Sequence, residues 1–402
     1  MAGLREDFLW GASTSPHQVE GNNVNADWWA LENAPDSPLP DRSGDALDSY
    51  HRYAEDMGLL AAAGLNAYRF GFEWARIEPA DGHFSLAARD HYRRMVDTAH
   101  ELGLKPVVTL HHFTLPRWFA ETGGWKRPDA ADRFARYIEF VAPALHDVEW
   151  VCTINEPNML AVFASVQDTV LSLMGAMDDP EQKAKLAAAL GRVSPDQALG
   201  ETLARVHRRA VETVRATTNA KAGWTVAQQA FTSTPGNEDV FARVHRTWEG
   251  FYLDAARGDD FVGVQAYTSQ PVDADGPVPH PAHPDNTLTG WAYRPDALGT
   301  ALRRAWDEAG GIPLLVTENG IATDDDTRRI AYTTEALGHL EAAVADGIDV
   351  RGYLHWSALD NYEWGRWAPT FGLISVDRET FVRTPKPSLA WLGACARRGG
   401  LT

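Results

Sequence analysis

Cysteine is almost missing from this chain: 402 residues carry only Cys152 and Cys395, too few for a disulfide framework. No Asn-x-Ser/Thr glycosylation acceptor occurs. The stretch from Met1 to Trp10 has charges where an export signal needs an apolar core. No run approaches the ~20 apolar residues of a membrane span. Together these absences point to a reducing, cytoplasmic setting and away from a membrane. Positive charge is also scarce, with 37 Lys and Arg against 55 Asp and Glu, a formal balance of −18. Such a surface repels nucleic acid phosphates and anionic lipids, so neither is an expected partner.

What is there has the make-up of a globular protein, 44% hydrophobic and 23% charged, in a chain long enough to bury about three quarters of its unfolded surface. Short apolar runs bounded by turn residues predict strands at Phe8–Ala12, Ala67–Trp74, Lys105–His112, Trp150–Asn155, Ala222–Gln228, Phe261–Tyr267, Ile312–Thr317 and Arg351–Ser357. Helical periodicity fills Tyr50–Ala63, Leu86–Leu102, Pro128–Leu145, Pro195–Thr217, Val240–Arg257, Pro295–Ala309, Thr327–Ala345 and Pro387–Ala396. Strand-then-helix units repeated in this way predict an α/β fold, a single (β/α)8 TIM barrel with rim insertions, as one domain over residues 1–402. An open doubly wound sheet is the alternative. No Gly-x-Gly-x-x-Gly or phosphate loop follows any predicted strand, which counts against it.

Barrel strands are buried on both faces and read as apolar until they reach the catalytic rim. Here they turn polar at their C-terminal ends: Arg69 and Glu73, His111-His112, Asn155-Glu156, Gln228, Gln265 and Tyr267, Glu318-Asn319, and His355-Trp356. These groups are expected to converge on one pocket. Residues 21–48, 170–192 and 270–284 read as insertions on the same rim, where long loops cover a cleft. Glu156 and Glu318 fall across the barrel from each other, and carboxylates flanking one bond are the equipment of glycoside hydrolysis. A structural salt bridge for each is the alternative reading. His111 and His112 point to opposite faces of a strand, which argues against one shared metal ion. Asp324–Asp326 reads as a turn that starts a helix, and Cys152 as a buried thiol.

Six ordered segments then carry a resemblance: residues 8–21 (FLWGASTSPHQVEG), 66–70 (NAYRF), 110–116 (LHHFTLP), 153–157 (TINEP), 316–320 (VTENG) and 352–364 (GYLHWSALDNYEW). Across its whole length the sequence resembles glycoside hydrolase family 1, the family of β-glucosidases and β-galactosidases. The resemblance implies a retaining mechanism with Glu156 as acid/base and Glu318 as nucleophile. It also implies that Arg69 and Tyr267 support the nucleophile. Gln18, His112, Asn155, Trp356, Glu363, Trp364 and Phe371 match substrate-binding positions. No metal and no organic cofactor are expected, and the implied partner is a small-molecule β-glycoside. Homo-oligomerisation is left open.

Some positions depart from the family pattern. His111-His112-Phe113-Thr114 stands where Tyr-His-Trp-Asp is usual, and Gln265-Ala266-Tyr267 where Asn-Tyr-Tyr is usual. Residues 162–177 lack the usual continuation of Asn-Glu-Pro, and residues 365–370 lack the usual basic pair, Thr370 holding the family's basic position. The aglycone side is thus the part that transfers least. The expected activity is exo-hydrolysis of unphosphorylated β-glycosides, β-glucosides first. A transglycosidase on the same site and a sugar-binding pseudoenzyme are the alternatives.

Overall fold

A computed structural model of the chain describes residues 3–174 and 193–402, and side chains outside 166–192. Eight parallel strands close into a barrel in sequence order: β1 Leu9–Ser13, β2 Ala67–Gly71, β3 Lys105–Thr109, β4 Trp150–Asn155, β5 Lys221–Ala227, β6 Val262–Gln265, β7 Leu314–Asn319 and β8 Val350–Trp356. β1 pairs on one side with β8, Ser13 opposite Trp356, and on the other with β2, Ser13 opposite Arg69. That double pairing closes the ring, so the predicted (β/α)8 architecture holds and the open sheet does not. Each predicted strand is present, ending earlier than expected in β2, β3, β5, β6 and β8 and later in β1 and β7.

Inside the ring, Leu9, Ala67, Val107, Trp150, Cys152, Phe261, Leu315 and Leu354 pack as one buried cluster, a filled core beneath the site rather than a pore. Outside it, strand residues such as Phe70 and Val151 share a second core with Tyr92, Ile138, Leu203, Leu302 and Leu340 of the surrounding helices. Those helices begin where the sequence offers caps. Ser85 accepts from the Ala88 N–H, Asp196 from Leu199, and Asp325 from Thr327 and Arg328, each satisfying an otherwise orphaned donor. Asp325 thereby fulfils the turn reading of the aspartate run.

Two local features differ from expectation. The helix predicted over Val240–Arg257 is interrupted at Arg246–Gly250 by a π turn, whose extra residue rotates Glu249 inward to accept the Gln229 N–H at 2.7 Å. Within the first insertion, Asp27–Glu32 forms a helix. The insertion expected over 170–192 lies almost wholly outside the described residues. Among the described residues, no helix is long and apolar enough to cross a membrane.

Candidate active site

The strand ends meet at a cavity of about 340 Å³ at the C-terminal mouth of the barrel. Its wall includes His112, Asn155, Glu156, Tyr267, Glu318, Trp356, Glu363, Trp364 and Phe371, which are nine of the residues singled out in the sequence. Both catalytic candidates stand where the ladder is irregular. The β4–β5 register shifts between Cys152 and Asn155, and the β7–β6 register between Val316 and Glu318. Such bulges re-aim side chains at a barrel rim. Glu156 takes a left-handed backbone, φ 45°, between the Asn155 strand end and the helix begun by Pro157. Gly320 admits no side chain, since a Cβ there would fall 2.1 Å from the Trp356 carbonyl oxygen.

Glu318 is clamped from two sides. Arg69 Nη1 donates to its Oε1 at 2.6 Å and Tyr267 Oη to its Oε2 at 2.6 Å. The same guanidinium donates through Nη2 to Asn155 Oδ1 at 2.6 Å and through Nε to Thr109 Oγ1 at 2.9 Å. One fully buried arginine thus ties β2, β3, β4 and β7 together. Burial, reinforced by the negative charge of Glu318, pushes Tyr267 well above the ordinary phenol range, so it stays a hydrogen-bond donor.

Glu156 sits in the opposite electrostatic condition. Burial and then the charge of Glu318 raise its carboxyl well above the usual range, with Arg69 opposing. Its one direct partner among the described residues is Gln265, whose Nε2 donates to Oε1 at 3.1 Å. The two carboxyl groups of one cavity thus stand in unlike surroundings, Glu318 held by Arg69 and Tyr267 and Glu156 desolvated beside that charge.

The rest of the wall mixes aromatic faces with polar tips. Asn155 Oδ1 accepts from Arg69 and Thr225, which fixes Nδ2 toward His112 Nε2 at 3.2 Å. An amide nitrogen only donates, so His112 carries its proton on Nδ1, which has no protein partner. Burial holds this imidazole well below its usual pKa, hence neutral. Trp356 Nε1 and Asn361 Nδ2 donate to Glu363 Oε1 at 3.3 and 3.2 Å. Burial pushes Glu363 up to about 8 despite those donors. Trp364 lies nearly parallel to His17 and His112, with ring centres 5.8 and 6.2 Å apart.

Six predicted groups stand outside the wall: Gln18, Arg69, Glu73, His111, Asn319, which donates to the Ala266 carbonyl at 2.6 Å, and His355, which lies between Tyr353 Oη and the Phe371 carbonyl, each at 3.3 Å. Gln18 stands behind the wall, its Nε2 donating to the Tyr362 carbonyl at 2.8 Å and its Oε1 accepting from Ser15 at 2.7 Å, and its side chain also hydrogen-bonds Glu363. Arg69 acts through Glu318 and Asn155. Glu73, a strand-end carboxylate, turns away to accept from Thr114 Oγ1 at 2.8 Å. His111 faces outward onto Trp125 and Phe134, while His112 faces the cavity. Residues the sequence reading did not place in the site include Phe113, Phe163, Trp291 and Arg366, all cavity-lining. Aromatic residues in the segments that follow the strands were the available signal for the first three, but nothing in their spacing says which turn inward.

Comparison with known proteins agrees with this geometry. The model of Glycosyl hydrolase family 1 matches residues 1–172 and 257–401. Thermostable beta-glucosidase B of Thermobispora bispora is 32% identical over 98% of this chain and 91% of its own length. The bifunctional beta-D-glucosidase/beta-D-fucosidase of Bifidobacterium breve is 30% identical over 96% of each. Among solved structures, beta-glycosidase BGL167 superposes with a TM-score of 0.87 at 43% identity, over 99% of this chain and 98% of that one. With a closed barrel, paired glutamates at the ends of β4 and β7, and family-wide similarity over most of its length, this chain belongs to glycoside hydrolase family 1 and is a β-glucosidase-type enzyme.

Proposed function

We propose that the protein is a retaining exo-β-glycosidase acting on unphosphorylated β-glycosides, β-glucosides first, by double displacement. The observation that carries this reading is the unequal treatment of the two glutamates. Glu318 is paired with Arg69 and Tyr267, whereas Glu156 is desolvated and repelled by Glu318. In the first step Glu318 attacks the anomeric carbon, and Glu156 gives its proton to the departing oxygen. In the second step Glu156, now ionised, takes a proton from water as that water displaces Glu318. His112, Asn155 and Glu363 supply hydroxyl contacts, and Trp356 and Trp364 an apolar face for the sugar's C–H groups. The named fucosidase activity of the Bifidobacterium relative supports β-fucosides as secondary substrates. The two buried free thiols suit a reducing cytoplasm.

Azide rescue tests the assignment. The Glu318→Ala variant should return the α-glycosyl azide and the Glu156→Ala variant the β-glycosyl azide. The reverse pattern by NMR would refute the roles.

A further inference from the structure

The outer wall of the cavity contains one feature that hydrolysis of a neutral glucoside does not use. Arg366 lines the cavity alongside Phe163, Trp291 and Pro369, and among the described residues it is the only lysine or arginine to do so. Its Nε is buried without a partner. The cavity carboxylates are engaged elsewhere: Glu318 by Arg69 and Tyr267, Glu156 by Gln265, and Glu363 by Trp356 and Asn361. The groups that lower Glu363 include the hydrogen-bond donors Trp356, Asn361 and Gln18.

The backbone that carries Arg366 is held in a tight turn. Trp364 and Gly365 both adopt positive φ, 47° and 117°, and the Glu363 N–H closes the turn onto the Arg366 carbonyl at 2.7 Å. The far side of that turn is pinned to Asp41, whose N–H donates to the Gly365 carbonyl at 3.0 Å and whose Oδ2 accepts the Trp367 N–H at 3.0 Å. Asp41 Oδ2 is thus engaged by backbone. The half-buried Arg366 keeps a desolvated Nε without a partner among the described residues, and a planar anion that offers two oxygens is the best complement of a guanidinium. Phe113, Phe163, Leu288 and Trp291 supply the apolar surroundings for a ring.

We infer that the aglycone subsite selects a flat aromatic aglycone bearing a carboxylate, with Arg366 holding that carboxylate. The inference rests on the β-glycosidase reading and extends it to the leaving group. In a protein of net charge −18, long-range repulsion would disfavour an anionic substrate, so a local cation is needed to accept one.

The test compares 4-carboxyphenyl and 4-carbamoylphenyl β-glucosides at pH 6.5 for the wild type, Arg366→Gln and Arg366→Lys. The ratio of kcat/KM within each protein cancels any general loss of activity. The carboxylate-to-carboxamide ratio should fall by about fivefold or more in Arg366→Gln, chiefly through KM, with Arg366→Lys between that variant and the wild type. A smaller fall overturns the inference. Inhibition constants of 4-hydroxybenzoate and 4-hydroxybenzamide, or their direct binding by calorimetry, give the same ratio without turnover. If neither glucoside is hydrolysed, the functional reading fails, while the binding ratio still decides the role of Arg366.

Discussion

Arg69 Nη1 and Glu318 Oε1 lie 2.6 Å apart with side-chain exposures of 0% and 5%, an ion pair almost wholly removed from water at the centre of the barrel mouth. Removing one partner from such a pair leaves the other charge buried and uncompensated, at a cost of about 3–5 kcal/mol. Arg69→Met should therefore lower unfolding stability by about that amount and abolish turnover, since Glu318 then gains by binding a proton. Urea unfolding with an unchanged slope measures it. A midpoint that does not move would show that the pair contributes no more than an apolar replacement.

The pH profile follows from Glu156. Its carboxyl is raised by burial and by the charge of Glu318, and in the proposed mechanism the protonated form is the active one. Activity should be present below that raised pKa and lost as pH rises through it, so the basic limb of kcat/KM belongs above the ordinary glutamate range. In Glu318→Gln the repelling charge is gone, and the Glu156 pKa should fall, as ¹³C-carboxyl NMR would register. An unchanged titration in that variant would remove Glu318 as a cause.

Gln265 holds Glu156 by a single hydrogen bond. Gln265→Leu should leave the acid less well aimed, at a cost of about tenfold, or ~1.4 kcal/mol, in kcat/KM for an alkyl glucoside whose leaving group needs the proton. A dinitrophenyl glucoside, which needs little protonation, should lose much less. Equal losses on both substrates would mean that Gln265 serves binding rather than acid aim.

Glu363, raised to about 8 by burial, is mostly protonated at neutral pH in the empty cavity. Sugar hydroxyls donating to it favour the ionised form, so binding of a neutral sugar-like inhibitor such as gluconolactone at pH 7 should release a proton. Calorimetry in buffers of different ionisation enthalpy would detect the release, and Glu363→Gln should abolish it. Glu363→Ser should cost about 2–3 kcal/mol in kcat/KM on nitrophenyl β-glucoside. The ionised carboxylate would also repel a 6-phosphate, so faster hydrolysis of the phosphorylated glucoside by the wild type would contradict the unphosphorylated preference.

The barrel was legible because its signal is local. Eight apolar runs, each followed by helical periodicity, survive any uncertainty about their ends. The carboxylates were legible for the same reason, as polar residues ending apolar strands at Asn155-Glu156 and Glu318-Asn319. What escaped depends on long-range geometry. Gln18 also donates to the Tyr362 carbonyl, 344 residues away, a partner that no local pattern indicates. The Gln265 departure from the family pattern was visible, but its contact with Glu156 arises because β4 and β6 both flank β5. The π turn at Arg246–Gly250 leaves the helical hydrophobic pattern intact to the eye. Only the packed position of Glu249 against Gln229 reveals it.

The pairing of β1 with β8 has a consequence for synthesis. Ser13 Oγ donates to the Thr317 carbonyl, 304 residues further on, at 2.7 Å, and Ser13 itself lies opposite Trp356. During translation the first strand waits without its second neighbour until nearly the last strand has emerged from the ribosome, and such distant contacts form late and slowly. Glu318 and Glu363 are made after most of the chain, so catalytic competence in a nascent polypeptide should report ring closure itself. For this enzyme, the first turnover is a clock for the final joining of the wall.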